Sequence, residues 1–433
     1  MARENRSRSR TKLLVAVLLA ALVVGWIYRS ALPNMFARRA LADRDTAAAL
    51  GWLTIGRRIS SQNAQTQFLL SRAYRRIGRM QLARDHLDAA ERLGWPRESV
   101  ERETWLALAQ AGWLAEAGPH LADLLTDPRG DHAEICEAFV IGYIKMHDVD
   151  AARKLLAAWQ HDLPGDPQPH FLLGMTYQDY DWKSAIDHYQ RALKIDPSHE
   201  QAAFALAECL LTGKRPAEAL PYYELAEKTS DDKPRAWTGQ AHCLRLLGQP
   251  EEALLLLERA LAENTDHAAA GLEWSQMKLE AGNFDQAARQ LEPLAKQEPR
   301  NWKVQFAYAT ALRGIGKIGQ AKKLFDRISH ARSQLRKAGN LAEQLKQDDV
   351  ATRYEIGKAH MDYGEPAEGL WWLRSVLSYD PSHAAAHSAL ADYYAAKESE
   401  DPRYAKLAQQ HRRLAEDRDD QEIGPQAHSK DER

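Results

Sequence analysis

The chain has 433 residues, and its 58 lysine and arginine residues nearly balance its 60 aspartate and glutamate residues, for a formal net charge of −2. This balance excludes a global field that would attract nucleic acid, so we expect no nucleic-acid partner. The three cysteines, Cys136, Cys209 and Cys243, are too few for a disulfide framework and form no C-x-x-C pair. We therefore expect free thiols that pack as small apolar side chains.

The N-terminal region combines a basic flank, residues 1–12, with a long apolar run, residues 13–28. Five basic residues precede the run and three follow it closely, a layout that predicts a transmembrane signal anchor. A cleaved secretory signal has a similar layout, and a buried core helix is a third interpretation. The sequence thus predicts a single-pass membrane protein that contacts the lipid bilayer through residues 13–28, with a cytoplasmic N-terminus and the rest of the chain extracytoplasmic.

A period of 34 residues runs through the middle of the chain. Small residues recur at this step, and bulky residues follow them four positions later. Residues at these spacings lie on one face of a helix, which we interpret as the second helix of a repeated pair. The recurring positions are Ala185, Ala219, Ala253, Ala287 and Ala321, followed by Tyr189, Tyr223, Leu257, Leu291 and Phe325. Gly248, Gly282 and Gly316 fall between the two helices of a pair, where a positive φ would end the first helix.

This pattern, with Pro197, Pro299 and Pro381 near the close of repeats, resembles that of tetratricopeptide-repeat (TPR) proteins. Together with the apolar N-terminal run, it resembles their bacterial, membrane-anchored members. The resemblance implies an all-α fold, a right-handed superhelical solenoid of TPR helical hairpins with one N-terminal transmembrane helix.

The repeat register divides the chain into segments. After the flank and the span, we predict a half repeat at residues 38–63, a full TPR at 64–97 and a degenerate TPR at 98–130. The remaining segments are TPRs at 133–166, 167–199, 200–233, 234–267, 268–301 and 302–330, a helical insert at 331–349, a TPR at 350–383, a TPR-like cap at 384–415 and a disordered tail at 416–433. The insert is a lengthened second helix or an extra helix, and it acts as a spacer or as a docking element.

The sequence motifs favour no catalytic chemistry. His199 and Glu200 begin an H-E-x-x-H zinc motif, but Ala203 occupies the place of the second histidine. The run from Gly314 to Lys317 resembles part of a phosphate-binding loop, but Ile318 stands where that loop needs serine or threonine. We therefore predict that the protein is not an enzyme and has no catalytic residues, metal or cofactor.

The resemblance also implies where partners would bind, because residues two, five, nine and twelve of each first helix face a concave groove in TPR proteins. Aromatic residues recur at position five, and nearby arginines suit pairing with the carboxylates of a peptide. The candidates are Phe68, Arg72, Arg75, Arg76, Phe171, Phe204, Arg235, His242, Arg245, Phe306, Arg313 and Tyr354. Packing against the next repeat is the alternative for the aromatics, and a solvated face is the alternative for the arginines.

These features predict a membrane-tethered scaffold that binds partner proteins or peptides in the groove of a TPR solenoid. The alternative is an accessory subunit that binds a glycan or peptide substrate for a separate enzyme, since groove aromatics can stack on sugars. The lysine and asparagine of the chaperone-binding carboxylate clamp do not occur together in any first helix, so chaperones are not the expected partners.

Overall fold

The computed structural model describes residues 31–178, 180–230, 232–346, 349–399, 401 and 403–422. Over these residues the chain is built from α-helices and one short 3₁₀ segment, without a β-strand. By contact density it divides into unit 1, Met1–Leu155, and unit 2, Leu156–Arg433. The prediction of an all-α fold is confirmed for the described part of the chain.

The predicted single-pass membrane location requires correction. Among the described residues, no helix is both long and apolar enough to cross a membrane. The longest, Ile318–Glu343, has 26 residues but carries charged side chains on successive turns. The predicted span at residues 13–28, with its contact to the lipid bilayer, lies outside the described residues. A membrane location is therefore not retained.

Unit 1 contains the first described hairpins and a less regular segment. Its helices are α1 (Ala31–Ala42), α2 (Thr46–Ile59), α3 (Ala64–Arg76), α4 (Met80–Arg92), α5 (Arg97–Ala111), α6 (Leu114–Ala117), a 3₁₀ turn (Gly118–His120), α7 (Leu121–Thr126) and α8 (His132–Lys145). The boundary between the units falls within α9 (Val149–Asp162). The helix pair of α1 and α2, residues 31–59, thus overlaps most of the segment 38–63 that was predicted as a half repeat.

Unit 2 continues as a succession of helix pairs. Its helices are α10 (Gln168–Tyr177), α11 (Trp182–Ile195), α12 (Glu200–Thr212), α13 (Pro216–Thr229), α14 (Lys233–Leu246), α15 (Pro250–Glu263), α16 (Ala268–Glu280), α17 (Phe284–Gln297), α18 (Trp302–Gly314), α19 (Ile318–Glu343), α20 (Val350–Tyr363), α21 (Pro366–Tyr379), α22 (Ala384–Ala396) and α23 (Arg403–Glu422). Consecutive helices contact one another along this array.

Local sequence sets the start and the end of these helices. His199, His267 and His383 each occupy the N-cap of a first helix, where the ring Nδ1 accepts a hydrogen bond from a backbone N–H of the first turn, at 3.1–3.2 Å. At the other end, the glycines predicted to have positive φ adopt it, with φ of 81° at Gly248 and 76° at Gly282. Caps of both kinds satisfy backbone groups that the helix leaves unpaired.

The repeated small and bulky residues pack the hairpins together. Tyr189 is fully buried, and its ring lies over Gly174 of the preceding first helix, where an added Cβ would come within 2.3 Å of the ring. Tyr223 makes the same contact with Gly239, again at 2.3 Å. The bulky residue of a second helix therefore fills space that a glycine in a first helix leaves open. All three cysteines are buried, which agrees with the prediction that they pack as small apolar side chains.

The long helix α19 interrupts the regular array. It runs without a break from Ile318 to Glu343, through Gly339 and Asn340, so the chain uses a lengthened second helix here and no separate helix. At the C-terminus, α23 extends to Glu422, into the segment predicted to be disordered, and residues 423–433 lie outside the described residues.

Candidate protein-binding surfaces

Arg75, predicted to face the groove, lies inside unit 1 with an exposed fraction of 1%. Its Nε donates to Glu103 Oε1 at 2.5 Å, its Nη1 donates to Gln110 Oε1 at 2.9 Å, and its Nη2 donates to Glu134 Oε2 at 2.7 Å. Both carboxylates come from other helices, α5 and α8. Arg75 therefore joins three helices of unit 1 and is inaccessible to a partner.

The neighbouring arginines belong to the same ionic network. Arg72 donates to Glu103 Oε2 at 3.1 Å and pairs with Asp131 at 2.6 Å. Arg76 pairs with Glu134 and donates to the Leu41 carbonyl oxygen at 2.6 Å. Burial, together with the nearby charge of Arg75, lowers the pKa of Arg76 to about 10. These arginines were predicted to pair with carboxylates of a partner peptide, but in the structure they pair with carboxylates of the chain itself.

Phe68 is buried, with an exposed fraction of 9%, and stacks on Trp95 with 5.1 Å between ring centroids. It forms part of the floor of a cleft of about 140 Å³ in unit 1. The cleft is lined by Phe68, Arg72, Ser99, Arg102, Glu103, Leu106, Leu124, Arg129, Asp131 and Ile135. An apolar floor thus meets a rim of charged groups.

In the regular part of unit 2, ion pairs join neighbouring first helices. The Arg245 Nε donates to Glu273 Oε1 at 2.6 Å, and His242 Nδ1 lies 3.0 Å from the same oxygen. Burial opposes ionisation of Glu273, but the hydrogen bonds and charges of His242 and Arg245 outweigh it, so the pKa of Glu273 lies below its usual range. Arg245 also reaches Glu280 at 3.4 Å.

These ion pairs repeat a spacing found in unit 1. Arg75 and Glu103 are 28 residues apart, and so are Arg245 and Glu273. In the predicted repeats that begin at residues 64, 98, 234 and 268, each arginine is residue twelve of its repeat, and each glutamate is residue six of the next. The sequence contains this signal, and a search for arginine followed by glutamate at this step would have identified both pairs.

Three further predicted aromatics pack within unit 2. Phe204 has an exposed fraction of 1% and lies beneath the Arg235 guanidinium, which is 4.2 Å from the ring centroid and pairs with Glu208 at 2.7 Å. Phe171 is partly buried against Tyr189 and His199, and Tyr354 lies 5.0 Å from the His383 ring. For Phe204, packing against the next repeat is the interpretation that the structure favours.

Phe306 and Arg313 differ from these residues. Phe306 has an exposed fraction of 47%, and its ring meets Phe325 edge-on at 5.4 Å. The Arg313 guanidinium lies 5.5 Å from the Phe325 ring and forms no ion pair in the described part of the chain. The residue 28 positions beyond Arg313 is Leu341, not a glutamate.

Two residues that were not predicted extend this surface. Trp302, one turn before Phe306 on α18, has an exposed fraction of 47%, and the Arg332 guanidinium lies 5.2 Å from its ring centroid. We name Trp302, Phe306, Arg313, Phe325 and Arg332 the aromatic–arginine surface. The helical insert predicted at residues 331–349 was the sequence signal for Arg332, which lies on the part of α19 that extends beyond the regular repeat.

The polar residues of the described chain do not assemble a metal centre, since no three or more histidine, cysteine, aspartate or glutamate side chains converge there. The surfaces described above consist of arginine, aromatic and carboxylate side chains, whose chemistry suits recognition of a polypeptide.

A family model described as tetratricopeptide repeat matches residues 177–243 and 278–338. The chain therefore contains TPR repeats, and proteins with such repeats typically act as scaffolds that bind other proteins or peptides. A curated relative, the Vi polysaccharide export protein VexE of Salmonella typhi, is 24% identical over 317 residues, which cover 64% of this chain and 45% of VexE. The match thus spans less than half the length of that relative.

Several solved structures are similar in part. The crystal structure of MamA has a TM-score of 0.30 and 20% identity and covers 39% of this chain and 94% of MamA. A human IFIT1 dimer with m7Gppp-AAAA has a TM-score of 0.43 and 15% identity, covering 82% and 90%. YrrB, a TPR protein with an unusual peptide-binding site, has a TM-score of 0.29 and 16% identity, covering 53% and 95%. With every TM-score below 0.5, the assignment of the repeats depends on the family model and the 34-residue period.

Proposed function

We propose that this protein is an interaction scaffold that binds a segment of a partner protein across the aromatic–arginine surface. The observation that carries the proposal is the pair of half-exposed rings, Trp302 and Phe306, beside the unpaired guanidinium of Arg313. Tryptophan, aromatic and arginine side chains are enriched among the residues that dominate the energy of protein interfaces. At the equivalent positions of other repeats in unit 2, Phe204 is buried and Arg245 pairs with Glu273.

The chemistry of this surface defines the expected ligand. The rings would bury apolar side chains of the partner, and Arg313 would pair with a carboxylate, with two parallel hydrogen bonds where the geometry allows. Contacts between arginine and the rings already restrict the rotamers of Phe325 and Trp302, which lowers the entropy that binding must overcome. We expect a segment that combines aromatic or aliphatic residues with at least one acidic residue.

The test is site-specific photocrosslinking of the full chain in its own cells. A benzophenone amino acid replaces exposed Lys303, beside Trp302, and a matched control carries it at exposed Arg289 on the second helix α17. The proposal predicts a defined protein adduct from position 303 that is weak or absent from position 289. Adding Phe306→Ala and Arg313→Gln to the first variant should remove that adduct. Adducts of equal yield from both positions, or adducts unaffected by those substitutions, would contradict it.

The similarity to VexE favours a second candidate, an accessory subunit that binds a polysaccharide or a peptide for a separate enzyme. Exposed rings such as Trp302 and Phe306 also stack on sugar faces. Titration of the purified full chain with neutral and acidic polysaccharides, followed by tryptophan fluorescence, separates the two candidates. A saturable change that Trp302→Phe abolishes supports the glycan function, and no change leaves the protein partner.

A further inference from the structure

The cleft of unit 1 contains a guanidinium nitrogen without a partner. Arg102 lies on α5 and lines the cleft, and its Nη2 is buried with no hydrogen-bond acceptor. A buried donor left unpaired destabilises the fold, and does so more strongly when the group is charged. An acceptor that entered the cleft would therefore satisfy a group that folding leaves unsatisfied.

The other charges around the cleft are already paired. Arg72 holds both carboxylates of the lining, with bonds of 3.1 Å to Glu103 and 2.6 Å to Asp131. Arg129, at the rim, pairs with Glu98 and with Asp127, the latter at 2.8 Å. Arg102 forms no ion pair among the described residues, and its charge interacts only at longer range with exposed Glu98, which already pairs with Arg129, so the expected acceptor is an anion.

Apolar side chains form the floor beneath these charges. Leu106, Leu124 and Ile135 are buried, and the ring of Phe68 completes the floor. A cavity of similar size, ~150 Å³, accommodates a benzene ring in an engineered protein, so the cleft has room for one side chain and part of its neighbour. A small inorganic anion would leave the floor uncovered, whereas a carboxylate attached to hydrocarbon would use both parts of the cleft.

We propose that this cleft binds an acidic side chain of a partner protein together with an adjacent apolar side chain. The carboxylate accepts a hydrogen bond from Arg102 Nη2, and the apolar group packs on Phe68 and Leu106. The site lies in unit 1 and shares no residue with the aromatic–arginine surface of unit 2. It therefore acts as an independent anchor for a partner segment and does not depend on the function proposed above.

The ligand is tested with small probes. Ligand-observed NMR titrations of the full chain use N-acetyl-leucyl-glutamate amide, its glutamine counterpart and galacturonic acid. The glutamate probe should bind at least tenfold more tightly than the glutamine probe, because only the carboxylate satisfies the charged donor. Equal binding of the two leucyl probes, or no binding of either, would overturn the proposal. Stronger binding of galacturonic acid would assign the cleft to acidic sugars and overturn the protein partner.

The residues are tested with matched variants. Arg102→Gln should weaken binding of the glutamate probe at least tenfold without lowering the melting temperature, since the Nη2 group that it removes has no hydrogen-bond acceptor and Glu98 keeps its ion pair with Arg129. Arg97→Gln, on the same helix but with an 83% exposed side chain, is the control and should bind like the wild type. Ser99→Trp keeps Arg102 but fills the cleft, and it should also abolish binding. Equal affinities of the Arg102 and Arg97 variants would sink the assignment, and Phe306→Ala should change none of these results.

Discussion

Phe68 in unit 1 and Phe306 in unit 2 occupy the same position of a first helix, yet one is 9% exposed and the other 47%. Phe68 is covered by Trp95 and by the Arg72 guanidinium, which lies 5.7 Å from its ring. Phe306 meets the ring of Phe325 edge-on and remains half exposed. The same residue type at the same position therefore becomes core in one region and surface in the other.

The difference teaches that the following repeat decides the role of this position. In unit 1, the next first helix, α5, brings Glu103, which pairs with Arg72 and Arg75 and so joins α3 to α5. After α18, the chain continues into the 26-residue helix α19, so no glutamate arrives 28 residues after Arg313. Because the repeat length changes here, Arg313 has no glutamate at this step and the Phe306 ring stays half exposed. Both side chains can therefore contact another molecule.

The largest expected effect on stability comes from removing Arg75, the buried arginine of the unit 1 ionic network. Arg75→Met removes the charge that holds Glu103 and Glu134, and leaves both carboxylates in a buried site with fewer donors. Breaking a buried ion pair by removing one partner costs about 3–5 kcal/mol. We expect a loss of that size in the free energy of unfolding of unit 1, measured by urea denaturation.

Arg97→Met provides the control for this prediction. Its side chain is exposed and pairs with Glu101 on its own helix at 2.9 Å, a kind of pair worth about 0.3–0.5 kcal/mol. Similar urea midpoints for the two variants would show that the buried network does not stabilise unit 1. The double variant Arg75→Met with Glu103→Gln should recover part of the loss, because it removes one of the uncompensated charges.

The repeat period predicted most of the fold, because a helix pair buries the same face each time. Ala185, Tyr189 and Ala192 lie along one side of α11 in the sequence pattern and are fully buried in the structure. Gly248 adopts the positive φ that its place between two helices requires. Periodicity identifies which residues face the core, and this part of the fold is local in the sequence.

The residues that the arginine side chains contact could not be predicted in the same way. Arg75 meets Glu134, 59 residues away, across the degenerate repeat, where the register gives no guide to which helices meet. His387 and His411, which belong to the C-terminal cap, are likewise brought together only by the packing of α23 on α22. Where a repeat deviates from the 34-residue period, its helices shift relative to their neighbours. The sequence pattern does not show which side chains then meet.

A smaller effect on stability is expected at the C-terminal cap, where two neutral histidine side chains share a hydrogen bond. His387 Nε2 donates to the Pro381 carbonyl oxygen at 2.9 Å, so His387 Nδ1 accepts from His411 Nδ1 at 2.7 Å. Burial lowers the pKa of His411 to about 4, and the positive charge of Arg374 adds to this effect. Since the folded state binds this proton more weakly than the unfolded chain, whose pKa is 6.5, stability falls as pH drops from about 6.5 to 4.

Partial exposure of His411 screens this effect, and we expect a loss of about 1–2 kcal/mol across that window. Hydrogen exchange of the α22 and α23 amides, corrected for the intrinsic pH dependence of exchange, measures the local free energy of opening. In His411→Phe the pH dependence of that free energy should be smaller by this amount. An unchanged pH profile in the variant would assign the dependence to another group. At neutral pH, loss of the histidine hydrogen bond should cost this variant no more than about 1.5 kcal/mol.

The smallest effect on stability is expected at residue five of a first helix, where Phe306 can be compared with Phe204. Phe306→Ala removes a half-exposed ring and should lower the free energy of unfolding by less than about 1 kcal/mol, because little apolar surface is re-exposed. Phe204→Ala is the matched variant, and truncation of a fully buried phenylalanine costs about 3–5 kcal/mol. Urea denaturation of both variants measures the difference. If Phe306→Ala lowered the free energy of unfolding as much as Phe204→Ala, the Phe306 ring would be part of the core, and the change in repeat length would have exposed no binding surface. A small loss of stability together with loss of the crosslinked partner would show that Phe306 acts in recognition and not in folding.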